Sequence, residues 1–240
     1  MTNAAEAQLI LFPVPIGADD IQYSLPEKNL QWLNSCHTFI VEELRSARRF
    51  LKKAGYQHVI DDTIFYLLNE HTTLEETIHY LDPIARGENV GLLSEAGLPC
   101  VADPGMLVTR QAQQRGFKIL PLVGPSSLMM ALMASGLNGQ RFAFNGYLPV
   151  DKGERVKAIR QLEQRVLKEG QTQLFIEAPY RNNQMLEALS STLSANTLIC
   201  VAVDITMPSQ QIITDTALSW KKRRSTIDLH KRNTVFLIGH

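Results

Sequence analysis

A glycine-rich stretch from Gly91 to Gly105 has the residue types expected at a ligand site. It begins in the apolar run 89–93, which is typical of a buried strand, passes through two turn clusters and enters a segment, 106–115, with helical periodicity. Loops at the carboxyl ends of parallel strands border open crevices, and glycine lets the backbone approach a ligand closely. We therefore expect this loop to bind a ligand.

Three further loops follow predicted strands in the same way. They are Val14-Pro15-Ile16-Gly17, Gly124-Pro125-Ser126-Ser127 and Glu177-Ala178-Pro179. N–H groups near the starts of the helices predicted at residues 106 and 127 can hold a carboxylate or a phosphate. A Gly/Pro turn after a strand is routine structure, so each loop alone is weak support for a site. Their occurrence together, in order, favours a ligand site built from several loops.

Several common chemistries are excluded by the absence of their motifs. The chain has no G-x-G-x-x-G after a strand, no G-x-x-x-x-G-K-[ST] and no G-x-S-x-G. Ordinary dinucleotide sites, P-loops and hydrolase nucleophile elbows are therefore not expected. The six histidines fall at no metal-ligand spacing, and we expect no metal site. Two basic clusters, 45–53 and 221–224, are more typical of solvated helix faces than of nucleic-acid sites.

Composition describes an ordinary globular protein. Twenty-four basic residues balance 24 acidic ones, so no global field attracts nucleic acid or an anionic membrane. The apolar runs are far shorter than the ~20 residues of a membrane span, and residues 1–8 lack the regions of a signal peptide. Cys36, Cys100 and Cys200 form neither a disulfide framework nor a C-x-x-C motif. We expect a cytoplasmic, reduced, soluble protein that does not contact a membrane.

Ten predicted strands alternate with helices along most of the chain, which favours an α/β fold with largely parallel or mixed sheets. The strands fall in two groups of five, so we expect two αβα domains, 1–122 and 123–240. Residues 43–53 predict an amphipathic helix. Residues 72–86 predict a helix that Thr72 or Thr73 can cap and that Pro83 kinks or shortens. Residues 128–134 predict an apolar helix buried between layers.

The motifs V-P-x-P-I-G, S-E-A-G-L-P-x-x-x-D-P-G, L-V-G-P-S-S and R-F-x-F-x-G-Y-L-P resemble the tetrapyrrole methylase superfamily of S-adenosylmethionine (SAM) dependent methyltransferases. The chain resembles the superfamily's branch of small-subunit ribosomal RNA ribose methyltransferases, which methylate a cytidine 2′-hydroxyl, more than its corrin branch. The resemblance spans the chain and is strongest over residues 90–150.

Membership implies a two-domain class III methyltransferase that binds SAM in an inter-domain cleft, releases S-adenosylhomocysteine, and is usually a homodimer. It also implies the residues that line the cofactor. These are Pro15, Gly17, Ser94, Glu95, Ala96, Gly97, Asp103, Pro104, Gly105, Gly124, Pro125 and Ser126, with Ala178, Pro179, Val203 and Asp204 from the second domain.

The chain departs from the branch at several motif positions. Glu42-Glu43-Leu44-Arg45 stands where the branch typically has E-D-T-R, Glu95 and Leu98 alter its S-D-A-G-T-P, and 175–181 lacks a histidine. Three interpretations of the acceptor stay open: an rRNA ribose hydroxyl on the small ribosomal subunit, a porphyrinoid or corrinoid precursor, or no acceptor in a non-catalytic SAM-binding module.

Methyl transfer to a ribose hydroxyl needs a proton acceptor as well as alignment of the two reactants. Three carboxylates that follow predicted strands are candidates for this catalytic role: Glu42, Glu43 and Glu177. Each has an arginine close by in sequence, Arg45 or Arg181, so an ion pair is the alternative interpretation for each of them.

Overall fold

A computed structural model describes residues 6–17 and 20–240, without the side chain of Arg224. The chain divides into two compact units between Ser126 and Ser127, four residues beyond the boundary predicted after residue 122. Each unit has its own five-stranded sheet. The predicted α/β fold class is confirmed.

The first unit is built on a wholly parallel sheet. Its strands, in the order β3-β2-β4-β1-β5, are β1 Gln8–Phe12, β2 Cys36–Val41, β3 Ile64–Leu67, β4 Asn89–Leu93 and β5 Lys118–Pro121. Its helices are α1 Ile21–Ser24, α2 Glu27–Leu33, α3 Leu44–Lys53, α4 Asp82–Ala85 and α5 Met106–Gln114. Because all strands run the same way, the segments that follow them emerge at one edge of the sheet.

Side-chain alternation along the strands gives this sheet two buried faces. Ile10 and Phe12 of β1 pack with Leu33 of α2, in the helix pair that follows β1, whereas Leu9 packs on the other face with Val108 of α5, the helix that follows β4. The chain therefore leaves β1 towards one helical layer and leaves the neighbouring β4 towards the other. Adjacent strands with this divergence form a topological switch point, where α/β sheets open a ligand crevice.

The second unit has a mixed sheet in the order β6-β7-β10-β8-β9, in which only β6 and β7 pair in parallel. Its elements are α6 Ser127–Ser135, β6 Phe142–Tyr147, α7 Lys152–Glu169, β7 Thr172–Ile176, α8 Asn182–Thr192, β8 Leu198–Val203, β9 Gln211–Thr216, α9 Ala217–Arg223 and β10 Thr234–Gly239. A core that includes Ile159, Leu189, Trp220 and Phe236 fixes α7, α8 and α9 to the sheet.

Two sequence predictions about helices are wrong. Residues 74–81 form successive tight turns, and only α4 at their end is helical. The predicted cap does form, since Thr73 and Glu76 exchange side-chain to backbone hydrogen bonds. Pro83 has no N–H for a bond back to His79 and its ring would clash with that carbonyl, so α4 begins afresh at Asp82 with Pro83 in its first turn. The residues before it close through i→i+3 bonds.

The second error concerns the apolar helix α6. Leu128, Ala131 and Leu132 are buried as expected, but the side chain of Met133 is 83% exposed. The helix therefore buries one side only. Its uniform apolar composition conceals which side that is, because no polar residues mark a solvent-facing stripe.

Candidate functional site

The loops after β1 and β4 are joined by their backbones. The N–H of Val14 donates to the carbonyl of Gly97, and the N–H of Gly97 donates back to the carbonyl of Val14, each over 2.9 Å. Gly97 has a φ of 77°, a left-handed conformation that favours glycine. A Cβ there would also lie 3.2 Å from Cγ2 of Ile16. The switch point is thus bordered by two loops of fixed relative position.

The loop after β5 packs against the same place. A Cβ on Gly124 would lie 2.1 Å from Cβ of Pro13 and 2.5 Å from its Cγ, so only glycine fits. The amide of Asn29 holds this loop by donating to the carbonyl of Val123 over 2.6 Å. The structure therefore brings three of the predicted loops together at one edge of the first sheet.

Predicted cofactor residues in these loops differ in exposure. Ser94 and Gly97 are buried and shape the loop, with the Ser94 hydroxyl donating to the Gly97 carbonyl over 3.3 Å. Glu95 and Ala96, between them, are exposed, as is Gly17. The remaining predicted positions of this rim are half-buried: Pro15, Gly124, Pro125 and Ser126. The rim is thus accessible to a ligand, whereas its base is not.

Asp103 organises the second half of the glycine-rich stretch. Its Oδ1 accepts from the N–H of Cys100 and of Gly105, each over 2.7 Å. Cys100 and Ala102 both have left-handed backbones, with φ of 68° and 60°. Such conformations persist in non-glycine residues only where the surroundings enforce them. Asp103 supplies that enforcement, and Pro104 and Gly105 then lead into α5.

Glu42, at the end of β2, joins a cluster of carboxyl groups with Asp103 and Glu95. Burial raises the pKa of Glu42 to about 7, helped by the charge of Asp103, a hydrogen bond shared with that side chain and the charge of Glu95. Burial also raises the pKa of Asp103, although the hydrogen bonds that it accepts from the N–H groups of Gly105 and Cys100 partly lower it. Among the described residues, Oε1 of Glu42 is buried without a hydrogen-bond partner.

Glu43, the neighbouring candidate, caps helix α3. Its carboxylate accepts from the N–H of Arg45 over 2.8 Å and from the N–H and hydroxyl of Ser46 over 2.6 and 2.8 Å. These bonds lower its pKa, the N–H of Arg45 most of all. A carboxylate satisfied in this way is a poor proton acceptor and a good helix cap.

The third candidate, Glu177, lies in the second unit after β7. Its Oε1 accepts from the N–H of Ala178 over 2.7 Å and from Arg181, with Nε at 3.0 Å and a terminal nitrogen at 2.5 Å. Its side chain is 1% exposed. The ion pair named as the alternative for Glu177 is therefore formed, and it fixes the turn 177–181 that contains Ala178 and Pro179.

Val203 is the last residue of β8 and Asp204 follows it. Both lie at the side of the second sheet where β7 also ends. Oδ2 of Asp204 accepts from Nε of Arg232 over 2.7 Å and from the hydroxyl of Ser209 over 2.9 Å. The Lys231 N–H donates to the carbonyl of Pro179, which ties this turn to the one after β7. Arg232 and Asn29 lie far in sequence from the predicted loops, and no motif points to their positioning roles.

Neither metal ligation nor membrane crossing has support in the part of the chain that the structure describes. No group of three or more His, Cys, Asp and Glu side chains there is arranged to hold a metal ion. No helix of residues 6–17 and 20–240 is long and apolar enough to cross a membrane.

Comparison with known proteins gives a family and a set of relatives. The family model described as Tetrapyrrole (Corrin/Porphyrin) Methylases matches residues 12–219. A relative from Pseudomonas aeruginosa, named ribosomal RNA small subunit methyltransferase I, is 34% identical over 183 residues, covering 76% of this chain and 59% of the relative. A protein of the same name from Buchnera aphidicola is 28% identical over 234 residues, covering 96% and 77%.

The chain spans only part of the length of these relatives, 59% of the first and 52% of another, from Pasteurella multocida. Two solved structures share the fold over nearly the whole chain. The methyltransferase CobJ has a TM-score of 0.64 at 17% identity, covering 98% of this chain and 94% of its own. The cobalt precorrin-4 methyltransferase CbiF has a TM-score of 0.61 at 15% identity, covering 100% and 97%.

Proposed function

This chain belongs to the tetrapyrrole (corrin/porphyrin) methylase family, and we propose from that membership that it is a SAM-dependent methyltransferase whose acceptor is a ribose 2′-hydroxyl of small-subunit rRNA. One observation carries the proposal: the loops with the family's motifs meet at the switch point of the first sheet, where Val14 and Gly97 pair.

The residues at this edge suit SAM. The rim is formed by exposed or half-buried small residues and backbone, and the half-buried carboxyl groups of Asp103 and Glu42 lie beside it. Backbone N–H and carbonyl groups match the hydroxyls and the amino-acid end of the cofactor, and nearby carboxyl groups favour its positive charge. We propose that Pro15, Gly17, Ser94–Gly97, Asp103–Gly105 and Gly124–Ser126 hold it.

The bound cofactor supplies a methyl group already activated by a sulfonium sulfur. The protein then needs to orient an acceptor and to take its proton, and orientation alone supplies a large part of the barrier reduction. A site made of fixed loops with few catalytic side chains satisfies the first requirement. Neither a nucleophilic side chain nor a metal is needed for direct transfer.

We propose Glu42, through the carboxyl pair that it forms with Asp103, as the proton acceptor. A general base works best when its pKa lies near the working pH, and that of Glu42 is raised to about 7. Its Oε1 is buried and accepts no hydrogen bond from the described residues, so no protein group competes for this oxygen. Glu43 and Glu177 are instead occupied by the α3 cap and by Arg181.

The printed names of the curated relatives support RNA as the acceptor. Those relatives, at 28–34% identity, are rRNA methyltransferases. The two structures with corrin-related or general methyltransferase titles share only 15–17% identity, which supports the fold and does not identify a substrate. An acceptor in the small ribosomal subunit also implies that the protein acts in the cytoplasm.

A homodimer is part of the same proposal. Met133, Tyr147 and Phe142 leave apolar surface exposed on the second unit, with exposed fractions of 83%, 62% and 39%. Large apolar side chains left at the surface favour burial against a second copy of the chain. Light scattering on the purified protein should give twice the chain mass of 26.9 kDa; a monomer at all concentrations would contradict the dimer and leave the activity untouched.

Calorimetric titration with SAM and S-adenosylhomocysteine tests the cofactor assignment. We expect one site per chain for each compound. Absence of heat and of any thermal shift with folded protein would contradict the proposal. Binding without methyl transfer to RNA or to porphyrinoid extracts would instead favour the non-catalytic alternative.

A further inference from the structure

Helix α3 separates its apolar and basic residues onto opposite sides. Ala47, Phe50 and Leu51 are buried. At about 100° of rotation per residue, Arg45, Arg49 and Lys52 cluster around the direction opposite to these three. All three cations are exposed. We refer to Arg45, Arg49 and Lys52 as the α3 stripe.

The cations of the α3 stripe are not neutralised by ion pairs. Within residues 6–17 and 20–240, no carboxylate oxygen is recorded within 4.0 Å of their charged groups. Their neighbour Arg48 differs, since it pairs with Asp61 over 3.2 Å and lies over the ring of Phe65. Glu43 precedes this end of the helix, and its oxygens accept from the N–H groups of Arg45 and Ser46.

The stripe begins at the candidate site. Val41 ends β2 and α3 starts at Leu44, so Arg45 lies at the sheet edge that carries Glu42 and the cofactor loops. From Arg45 to Lys52 the helix rises about 10 Å, at ~1.5 Å per residue. Three unpaired cations spread over this length offer one contact each to as many as three phosphates.

We propose that the α3 stripe binds backbone phosphates of the RNA strand whose ribose is methylated, and so guides that strand to Glu42. This inference rests on the proposed function, because it deepens the assignment of RNA as acceptor. A chain with no net charge offers RNA no general attraction, and a local patch must supply it. Arginine suits this role because its planar guanidinium binds phosphate through two parallel bonds.

The second basic cluster of the sequence is organised differently. In α9, Arg223 pairs with Asp215 over 3.1 Å and lies over the ring of Trp220. Those contacts give Arg223 a structural role within the second unit. The α3 stripe lacks such contacts, and it is also the cluster that starts beside the candidate site.

The test is the salt dependence of RNA binding, measured by fluorescence anisotropy with a labelled stem-loop of small-subunit rRNA. The triple variant Arg45→Gln/Arg49→Gln/Lys52→Gln should bind at least tenfold more weakly at low salt. The slope of log K against log salt should shrink by about 2, since each lost phosphate contact removes about 0.7 for a single strand. SAM affinity should stay within twofold of the wild type.

A matched control removes the same charges from another helix. Arg160, Arg165 and Lys168 are exposed on α7. The variant Arg160→Gln/Arg165→Gln/Lys168→Gln should keep the wild-type slope. An equal loss in both variants would show an effect of net charge and overturn the inference, as would an unchanged slope in the α3 variant.

Two other outcomes separate this inference from the proposed function. Wild-type protein that binds SAM but no RNA would overturn the α3 stripe and leave the cofactor assignment standing. RNA binding that depends on the α3 stripe, without any SAM binding, would support the proposed role of the stripe and contradict the methyltransferase.

A third outcome concerns the partner. Binding to phosphatidylserine vesicles that depends on the α3 stripe, without binding to RNA, would overturn the inference in favour of a membrane surface.

Discussion

Val14 and Gly97 hold each other through two reciprocal backbone hydrogen bonds, each 2.9 Å long. This pairing continues the contact of β1 with β4 beyond the end of both strands. The two loops diverge afterwards towards helices on opposite faces of the sheet. A ligand at this edge therefore meets a rigid border, which is the arrangement that precise alignment of two reactants requires.

Gly124→Ala should remove SAM binding. The new Cβ would lie 2.1 Å from Cβ of Pro13, and the rigid proline ring cannot move aside without shifting the loop after β1. We expect at least a tenfold loss of SAM affinity by calorimetry. Gly139→Ala is the matched control, because a Cβ there meets nothing within 4 Å. Equal affinities for the two variants would contradict the assignment of Gly124 to the cofactor rim.

Asp103→Ala should loosen the loop that leads into α5. The substitution leaves the N–H groups of Cys100 and Gly105 without their acceptor and releases two left-handed residues from their restraint. We expect a loss of about 1–3 kcal/mol of stability, as for other unpaired buried groups, and a tenfold or larger loss of SAM affinity. Asp103→Asn keeps an oxygen acceptor and should recover most of the affinity. If Asp103→Asn bound SAM no more tightly than Asp103→Ala, the negative charge of Asp103, rather than its support of the loop, would be the cause of SAM binding.

The pKa of Glu42 predicts a pH-dependent stability. The folded value of about 7 lies above the ordinary 4.5, so between these values the folded chain binds more protons than the unfolded chain. The contribution of Glu42 is therefore fully present below about pH 4.5 and is lost as the pH rises through about 7. With solvent screening at this half-buried side chain, we expect a loss of about 1 kcal/mol.

Glu42→Gln provides the comparison for this pH dependence. Urea unfolding of the wild type and the variant at pH 5 and pH 8 should show the variant gaining relative stability at the higher pH. The methyl-transfer rate of the wild type should rise through about pH 7, and the variant should be slower by about 10²-fold or more without that inflection. A variant with the wild-type rate profile would exclude Glu42 as the proton acceptor.

Glu43 should prove to be a cap. Glu43→Ala removes the acceptor for two N–H groups at the start of α3, which typically costs about 1 kcal/mol. Thermal unfolding should show the loss, and Glu43→Asp should restore part of it. Transfer per SAM-bound enzyme should change less than twofold; a large loss of rate with unchanged stability would assign Glu43 to catalysis instead.

Sequence periodicity predicted most of the fold because local pattern and final environment agree there. The apolar run of β4 and the amphipathic pattern of α3 each identify one element without tertiary information. The same reasoning fails at 74–81, where a cap forms but turns follow and the helix begins only beside Pro83. It also fails at α6, where uniform apolarity conceals the exposed side.

Only part of the candidate site could be predicted from the sequence. Glycine-rich loops after strands are visible in the sequence, whereas their mutual contacts depend on strand order. Nothing local to Val14 indicates Gly97 as its partner, and nothing local to Glu42 indicates the nearby Asp103 that helps raise its pKa. The roles of the three carboxylates separated only when their partners were known: a cap for Glu43, Arg181 for Glu177 and the carboxyl cluster for Glu42.

Transfer of a labelled methyl group from SAM is the direct test of the proposed methylation of small-subunit rRNA. Purified protein is incubated with methyl-labelled SAM and, separately, with small ribosomal subunits, their extracted rRNA and a porphyrinoid extract. We expect label in the small-subunit RNA, retained in alkali-resistant dinucleotides because a 2′-O-methyl group blocks cleavage of the following linkage. Label in the porphyrinoid fraction alone, or in no fraction for protein that binds SAM, would contradict it.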